Sequence, residues 1–163
     1  MKNTFDTVSN TIKKIETAMM TSTSDDGLES RPMATVLNED DFDGYVRFFS
    51  HKDTDKVSQL INEPEVMVTY SDSQNKTFVA LKGDARVTQN KAELAKHWNL
   101  VQSAFFNDGI SDDDVCLIEV KVEAVDLWDE ESRSMKRAFE IGKSIASNKK
   151  PDLGDHHSQN IPH

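Results

Sequence analysis

Cysteine is nearly missing: Cys116 is the only one in 163 residues. That excludes a disulfide framework within the chain and fits a reducing compartment, so a cytoplasmic location is expected. Long apolar runs are missing as well. None approaches the ~20 residues a membrane-spanning helix needs, and no membrane partner is expected. Met1-Lys2-Asn3 leads straight into a polar amphipathic segment, so no secretory signal is expected. Positive charge is scarce: 19 Lys and Arg stand against 29 Asp and Glu, a formal net charge of −10. A nucleic-acid binder needs a basic face to neutralise phosphates, and this chain has no such excess. A small anionic ligand is still compatible, because a few local donors suffice to hold one phosphate. Acidic runs such as Glu39-Asp40-Asp41 and Asp112-Asp113-Asp114 read as solvated turns. No Gly-rich loop of the dinucleotide or P-loop type occurs, and no Ser/His/Asp arrangement can be assembled from spacing alone. His156, His157 and His163 fall in a tail without periodicity, which predicts a solvated tail rather than a metal site.

What is present is a succession of short strands flanked by helices, in a length that suits one domain. Phe5, Val8, Ile12 and Ile15 recur at helical spacing and predict an amphipathic helix over residues 4–18. Strands are expected over 19–24 and 28–37, joined by a turn at Asp25-Asp26-Gly27. Pro32 lacks a ladder donor, so its strand should lie at an edge, a bulge or a ligand-facing break. A strand over 45–50, a short helix opening near Thr54 and stopped by Pro64, and a strand over 66–70 follow. Phe78 to Val87 alternates cleanly, with Val79, Leu81, Ala85 and Val87 on one face and Lys82, Asp84 and Arg86 on the other. Asn90 and Glu93 have capping-box spacing and predict a helix running through Leu94 and Trp98. A further strand covers 116–125, with Cys116 assigned to the face opposite most of the apolar residues, as a small, partly buried side chain. Met135, Ala138, Gly142 and Ile145 predict a final helix, and residues from Asn148 onward a loose tail. One domain over 1–147 with a tail over 148–163 is the expected organisation. The class is mainly β with flanking helices, an antiparallel sheet or small barrel.

The stretch from Ser30 to Lys56 is where chemistry is most legible. Arg31-Pro32-Met33 lies in one predicted strand, and Phe48-Phe49-Ser50 ends the next. After a short polar link a helix opens at Thr54-Asp55-Lys56. A helix N-terminus presents free N–H groups and partial positive charge, which suits a phosphate, and a hydroxyl and an ammonium there reinforce it. Arg31 reads either as a phosphate or ring-edge donor or as a surface arginine. Phe48 and Phe49 read as core or as ring contacts, and Thr54-Asp55-Lys56 as a plain capped helix start or as an anion site.

Taken in order, these segments resemble the pyridoxamine 5′-phosphate oxidase-like family of flavin-binding split barrels, and within it the bacterial general stress protein branch. The resemblance runs through Ala18-Met19-Met20-Thr21-Ser22, Asp26-Gly27, Ser30-Arg31-Pro32-Met33, Phe48-Phe49-Ser50 and Lys56. It continues through Gly83-Asp84-Ala85, Trp98, Leu127-Trp128-Asp129 and Lys150-Pro151-Asp152-Leu153-Gly154. It implies a six-stranded split β-barrel, paired as a homodimer with flavin mononucleotide (FMN) at the subunit interface; it does not separate FMN from FAD. It implies flavin contacts from Arg31, Pro32 and Met33, ring contacts from Phe49 and Ser50, and phosphate contacts from Thr54 and Lys56. Trp98 is left open between reaching the flavin from the partner subunit and packing with Leu94 as a helix-core tryptophan. No catalytic residue is implied.

Departures narrow the expected activity. The family's vitamin B6 phosphate oxidases carry a lysine where this chain has Val36, and an Arg-x-His pair where it has Arg133-Ser134-Met135 and Arg137-Ala138-Phe139. Asp55 replaces a cation common there, and Phe78 a polar or tyrosine side chain. The expectation is a stress-related flavin-dependent oxidoreductase of some other small-molecule substrate. The alternatives are a non-catalytic flavin carrier, or a relative binding haem through His51 or His97, or a deazaflavin.

Overall fold

The computed structural model describes residues 4–37 and 40–130, and the backbone of 135–139. Its elements run α1 (Thr4–Ile15), β1 (Thr17–Ser24), β2 (Gly27–Ala34), β3 (Tyr45–His51), α2 (Asp55–Asn62), β4 (Glu65–Asp72), β5 (Thr77–Thr88), α3 (Lys91–His97), α4 (Leu100–Phe105), a 3₁₀ turn (Gly109–Ser111), β6 (Val115–Trp128) and β7 (Met135–Phe139). The strands pair antiparallel in the order β2-β1-β4-β5-β6-β3. β6 is the longest strand, at 14 residues, and serves two partners on one edge. β3 pairs with it from Val115 to Lys121, and β7 from Ala124 to Trp128. The ends of the strand order approach each other where the Val36 N–H donates to the Arg47 carbonyl at 2.8 Å, so the sheet curls into a split barrel. No helix among the described residues is long and apolar enough to cross a membrane.

Period-two alternation makes the inner wall. Met20, Phe48, Val68, Tyr70, Leu81 and Ile118 are fully buried in one cluster, with Val8 and Ile12 of α1 and Val57 and Leu60 of α2 packed on it. Burying a side chain of this size contributes roughly 1.5–3 kcal/mol, so the inner wall dominates stability. Tyr70 is held by a 2.8 Å hydrogen bond between its hydroxyl and that of Thr35, both buried. Pro32 falls in β2, at the edge of the sheet, where a missing N–H is tolerated.

Three expectations are corrected. Cys116 is wholly buried in the main core, on the face shared with Ile118, Val120 and Val122. The alternate face there is covered too: Val115 and Leu117 pack with Leu94 and Phe106, so this end of β6 is buried on both sides. Residues 135–139 are a strand, not a helix. β3 ends opposite Lys121, which leaves the far edge of β6 with ladder groups that need partners, and β7 supplies them. The remainder of that expected helix and the 148–163 tail lie outside the described residues. The helix expected through Trp98 is two helices, with Trp98 extended between them at φ −74° and ψ 132°. Asn90 caps α3 by accepting from the Ala92 and Glu93 N–H groups, but Glu93 turns to Arg86 (2.9 Å) instead of back to Asn90. The complete capping box belongs to α4: Asn99 accepts from its first turn while Gln102 Oε1 accepts from the Asn99 N–H.

Asp72 ties α1 to the sheet. Its Oδ2 accepts from Lys14 Nζ at 2.7 Å and from Asn75 Nδ2 at 2.6 Å. These bonds, Lys14 first, hold its pKa down at about 2. A carboxyl depressed in the folded state binds fewer protons there than when unfolded, so its contribution is present above about pH 4 and fades as pH falls towards 2. Asp72→Asn is expected to be less stable than wild type in urea melts near neutrality, with the gap closing as the pH is lowered through that window. A gap independent of pH would show the carboxylate charge to be irrelevant.

Candidate cofactor site

β2 alternation sends Arg31 and Met33 to one face and the exposed Pro32 to the other, opposite Met19. Arg31 Nη1 donates to Ser22 Oγ at 2.7 Å, and Nη2 to Gln59 Oε1 at 2.9 Å and to Glu29 Oε2 at 3.2 Å. Ser22 also donates to Gln59 Oε1 at 3.2 Å, and Gln59 Nε2 donates to Glu29 Oε2 at 3.0 Å. Ser22 itself is buried. The guanidinium is therefore fixed from β1, β2 and α2 at once. Three of its five N–H donors are used in these bonds.

Lys56 faces this guanidinium from the first turn of α2. Among the described residues its Nζ meets only the Met33 sulfur, at 3.7 Å, and makes no ion pair. A thioether is a weak acceptor. Burial, and then the like charge of Arg31, lower the lysine pKa below its ordinary value. The helix start beside it is also open. Thr54 is the N-cap, yet its hydroxyl donates to the His51 carbonyl at 3.0 Å instead of accepting from the first turn. Two cations and first-turn N–H groups thus converge beside the Thr54 hydroxyl, with no anion among the described residues to balance Lys56. That is the donor set of a phosphate, and a bound phosphate would remove the imbalance. The inner wall below is Ser50, buried and paired across the ladder with Cys116. Burial pushes the Cys116 thiol up to about 11, against the pull of Lys56, so it stays protonated at neutral pH and is no nucleophile.

Phe49 and Trp98 form a second group. Phe49 lies on the face of β3 opposite Phe48 and Ser50. Its ring meets Trp98 edge-on at 5.0 Å and Phe106 at 6.3 Å. Trp98 Nε1 donates to Ser103 Oγ at 3.1 Å, and Trp98 packs beside Leu94, so the half of the Trp98 expectation that placed it in a helix interior is replaced by a linker position. Arg31, Met33, Ser50, Thr54 and Lys56 therefore gather at one place, Phe49 and Trp98 at another, and Pro32 on the outer face. Val36 is buried in the segment that closes the barrel, and Phe78 is half-exposed opposite Trp128. His51 is exposed with its ring 5.1 Å from Phe106, while burial and the Arg47 charge lower the pKa of His97. No group of three or more His, Cys, Asp or Glu among the described residues could hold a metal. Sequence reasoning missed Ser22, Glu29 and Gln59. Gln59 was within reach, since it lies three residues beyond Lys56 and so on the same helical face; Ser22 and Glu29 needed the hairpin register.

Comparison with known proteins gives the same frame. A family model described as pyridoxamine 5′-phosphate oxidase like matches residues 3–152. No curated protein matches the chain. Among solved structures it is similar to a Clostridium acetobutylicum protein related to general stress protein 26 of B. subtilis, with a TM-score of 0.74 at 13% identity over 85% of this chain and 95% of that one. It is similar to the general stress FMN/FAD binding protein of Xanthomonas citri, with a TM-score of 0.69 at 23% identity over 78% of this chain and 89% of the other. A pyridoxamine 5′-phosphate oxidase-related, FMN binding protein of Nostoc punctiforme gives a TM-score of 0.57 at 12% identity, over 84% and 90%. At such identities the structures speak for the fold, and the family model, spanning nearly the whole length, speaks for descent: the chain belongs to the pyridoxamine 5′-phosphate oxidase-like family.

Proposed function

We propose that this protein binds FMN and acts as a flavin-dependent oxidoreductase. The observation that carries the reading is the half-buried Lys56 ammonium, which faces Arg31 and an uncapped helix start without an anionic partner among the described residues. In this reading Lys56, the first turn of α2 and the two remaining Arg31 donors hold the phosphate, and the Thr54 hydroxyl joins them by turning away from the His51 carbonyl. Pro32, Met33 and Ser50 flank the flavin, and Phe49 and Trp98, packed together at 5.0 Å, serve the ring as one unit from a second subunit. Bound flavin supplies the electron chemistry; the protein supplies binding, orientation and electrostatics. The Xanthomonas and Nostoc proteins are described as flavin-binding, which supports the cofactor class. A mononucleotide fits better than FAD because the groove beside Arg31 is lined by Asp25, Asp26, Glu29, Asp55 and Glu63, which would oppose a second phosphate.

A homodimer belongs to the same proposal. Met19, Met67, Phe78 and Trp128 stand 40–46% exposed on the outer face of β1, β4, β5 and β6. Met19 lies diagonal to Met67 and Phe78 opposite Trp128 in the ladder; exposed apolar groups on a sheet mark an interaction face, and a second copy is the partner that this family likeness favours. Pyridoxamine phosphate is not the proposed substrate, because buried, apolar Val36 stands where the family's B6 phosphate oxidases carry a lysine. That same substitution favours, as second reading, a flavin carrier without a substrate of its own.

One set of measurements on the purified protein decides. The absorbance spectrum is expected to show oxidised flavin or to acquire it on titration, with FMN bound at least about tenfold more tightly than riboflavin, as one charge-assisted contact to the phosphate implies. Sedimentation is expected to give a dimer. Absence of binding to any flavin overturns the proposal, and a flavin-binding monomer overturns the dimer. Reduction by a nicotinamide cofactor followed by sustained reoxidation separates the oxidoreductase from the carrier.

A further inference from the structure

The two cations of the phosphate end stand on different elements, Arg31 on β2 and Lys56 on α2, and Gln59 joins them. Its amide works in both directions. Oε1 accepts from Arg31 Nη2 at 2.9 Å and from Ser22 Oγ at 3.2 Å, while Nε2 donates to Glu29 Oε2 at 3.0 Å. A carboxamide accepts from a guanidinium on one atom and donates to a carboxylate from the other without carrying charge. A leucine does neither, and a glutamate cannot donate and adds a second carboxylate beside Glu29. Gln59 rises one turn after Lys56, so its hold on the hairpin is also a hold on the first turn of α2. It likewise keeps Glu29, which already contacts Arg31 at 3.2 Å, tethered within the network.

We propose that Gln59 is a positioning residue of the phosphate end of the flavin site: it fixes the Arg31 guanidinium relative to the helix start that carries Lys56 and tethers the Glu29 carboxylate, so that the site discriminates phosphorylated from unphosphorylated flavin. The assignment rests on the FMN reading above and adds a residue for which that reading has no role.

The test is the ratio of riboflavin to FMN dissociation constants, read by flavin fluorescence in wild type, Gln59→Leu, Gln59→Glu, and the exchange Glu29→Gln with Gln59→Glu. Gln59→Leu is expected to lower the ratio about tenfold while riboflavin affinity moves less than about twofold, as for the misplacement of one charge-assisted contact. Gln59→Glu alone is expected to lower it further. The exchange keeps an acceptor for Arg31 and Ser22 and a donor between the two positions, and is expected to return the ratio to within about threefold of wild type. Equal loss of both flavins in Gln59→Leu, an unchanged ratio, or an exchange that restores nothing overturns the assignment. If Gln59→Leu does not fold, the exchange against Gln59→Glu carries the comparison. Wild type that binds no flavin overturns the FMN reading and this assignment with it; a wild-type phosphate preference that survives in Gln59→Leu overturns the assignment alone.

Discussion

Lys56→Met is expected to weaken FMN binding by about 10–100-fold, leave riboflavin nearly untouched, and raise the Tm of the flavin-free protein. The first half follows from losing the cation at the site that has no counter-charge among the described residues, since Arg31 is already shared with Glu29. The second half follows from the direction of the lysine pKa, which burial and then Arg31 push down. A lysine lowered in the folded state binds fewer protons there than in the unfolded chain between the two pKa values, so stability rises with pH across that window. Neutral pH lies below the window, where the penalty for keeping the ammonium charged in place is fully present. Methionine keeps the unbranched stem beside Met33 and drops the charge. Added FMN reverses the order, because a ligand that binds only the folded state stabilises in proportion to ln(1 + [L]/Kd), and wild type has the lower Kd. Thermal melts of both proteins with and without FMN should therefore cross. Wild-type FMN affinity in the variant would reduce Lys56 to a helix-start residue, and an unchanged flavin-free Tm would show its burial to be harmless.

The parts of the molecule legible from sequence are those whose pattern is local. Strands whose faces differ in polarity announce themselves. Phe78–Val87 is found as the core of β5, with Val79, Leu81 and Ala85 buried as alternation requires. Edge chemistry is legible too, because Pro32 restricts where its strand can stand. The cation–helix arrangement was visible as an order of residues, since Arg31, Met33 and Lys56 sit close in sequence and the intervening strand and turn are short. What local pattern does not carry is pairing. The edge of β6 beyond Lys121 calls for a partner, and that demand makes 135–139 a strand although Met135 and Ala138 have helical spacing. Coverage is equally non-local. α3 and α4 close over Val115 and Leu117, so this strand end is buried on both faces, and the apolar residues on either side of Cys116 mask the period-two face it shares with Ile118, Val120 and Val122. The Ser22–Glu29–Arg31–Gln59 network depends on the hairpin register of β1 and β2 and on how α2 lies over it. The break at Trp98 turns on Asn99, whose capping box with Gln102 starts a new helix.

Gly83→Ala is expected to have the largest effect on stability of any single methyl addition at the glycines described. Gly83 lies in β5 opposite Val122, at the register shift between Lys82 and Gly83 in the β5–β6 ladder. A Cβ built there strikes the Lys121 carbonyl oxygen and lies 2.8 Å from its carbon and 3.0 Å from the Val122 Cα. All three are backbone atoms of the strand that pairs with β3, β5 and β7, and the Val122 N–H is itself committed to the Gly44 carbonyl at 2.9 Å. A flexible side chain can swing away from an added methyl; a backbone held by ladders on both edges moves only by breaking hydrogen bonds. The loss is placed at about 3 kcal/mol or more, the upper end for overpacking, because no side chain absorbs it. Against a typical total of roughly 5–15 kcal/mol, that is enough to cut the yield of folded protein. Gly27→Ala is the control. Gly27 has φ +110° at the β1–β2 turn, but nothing lies within 4 Å of the added Cβ, so only backbone strain of about 1–2 kcal/mol applies. Urea melts should rank wild type above Gly27→Ala and Gly27→Ala above Gly83→Ala. A Gly83→Ala protein as stable as the Gly27→Ala protein would mean that β6 yields at Lys121. The close approach of β5 and β6 would then be a preference of the glycine, and no longer a requirement of the barrel.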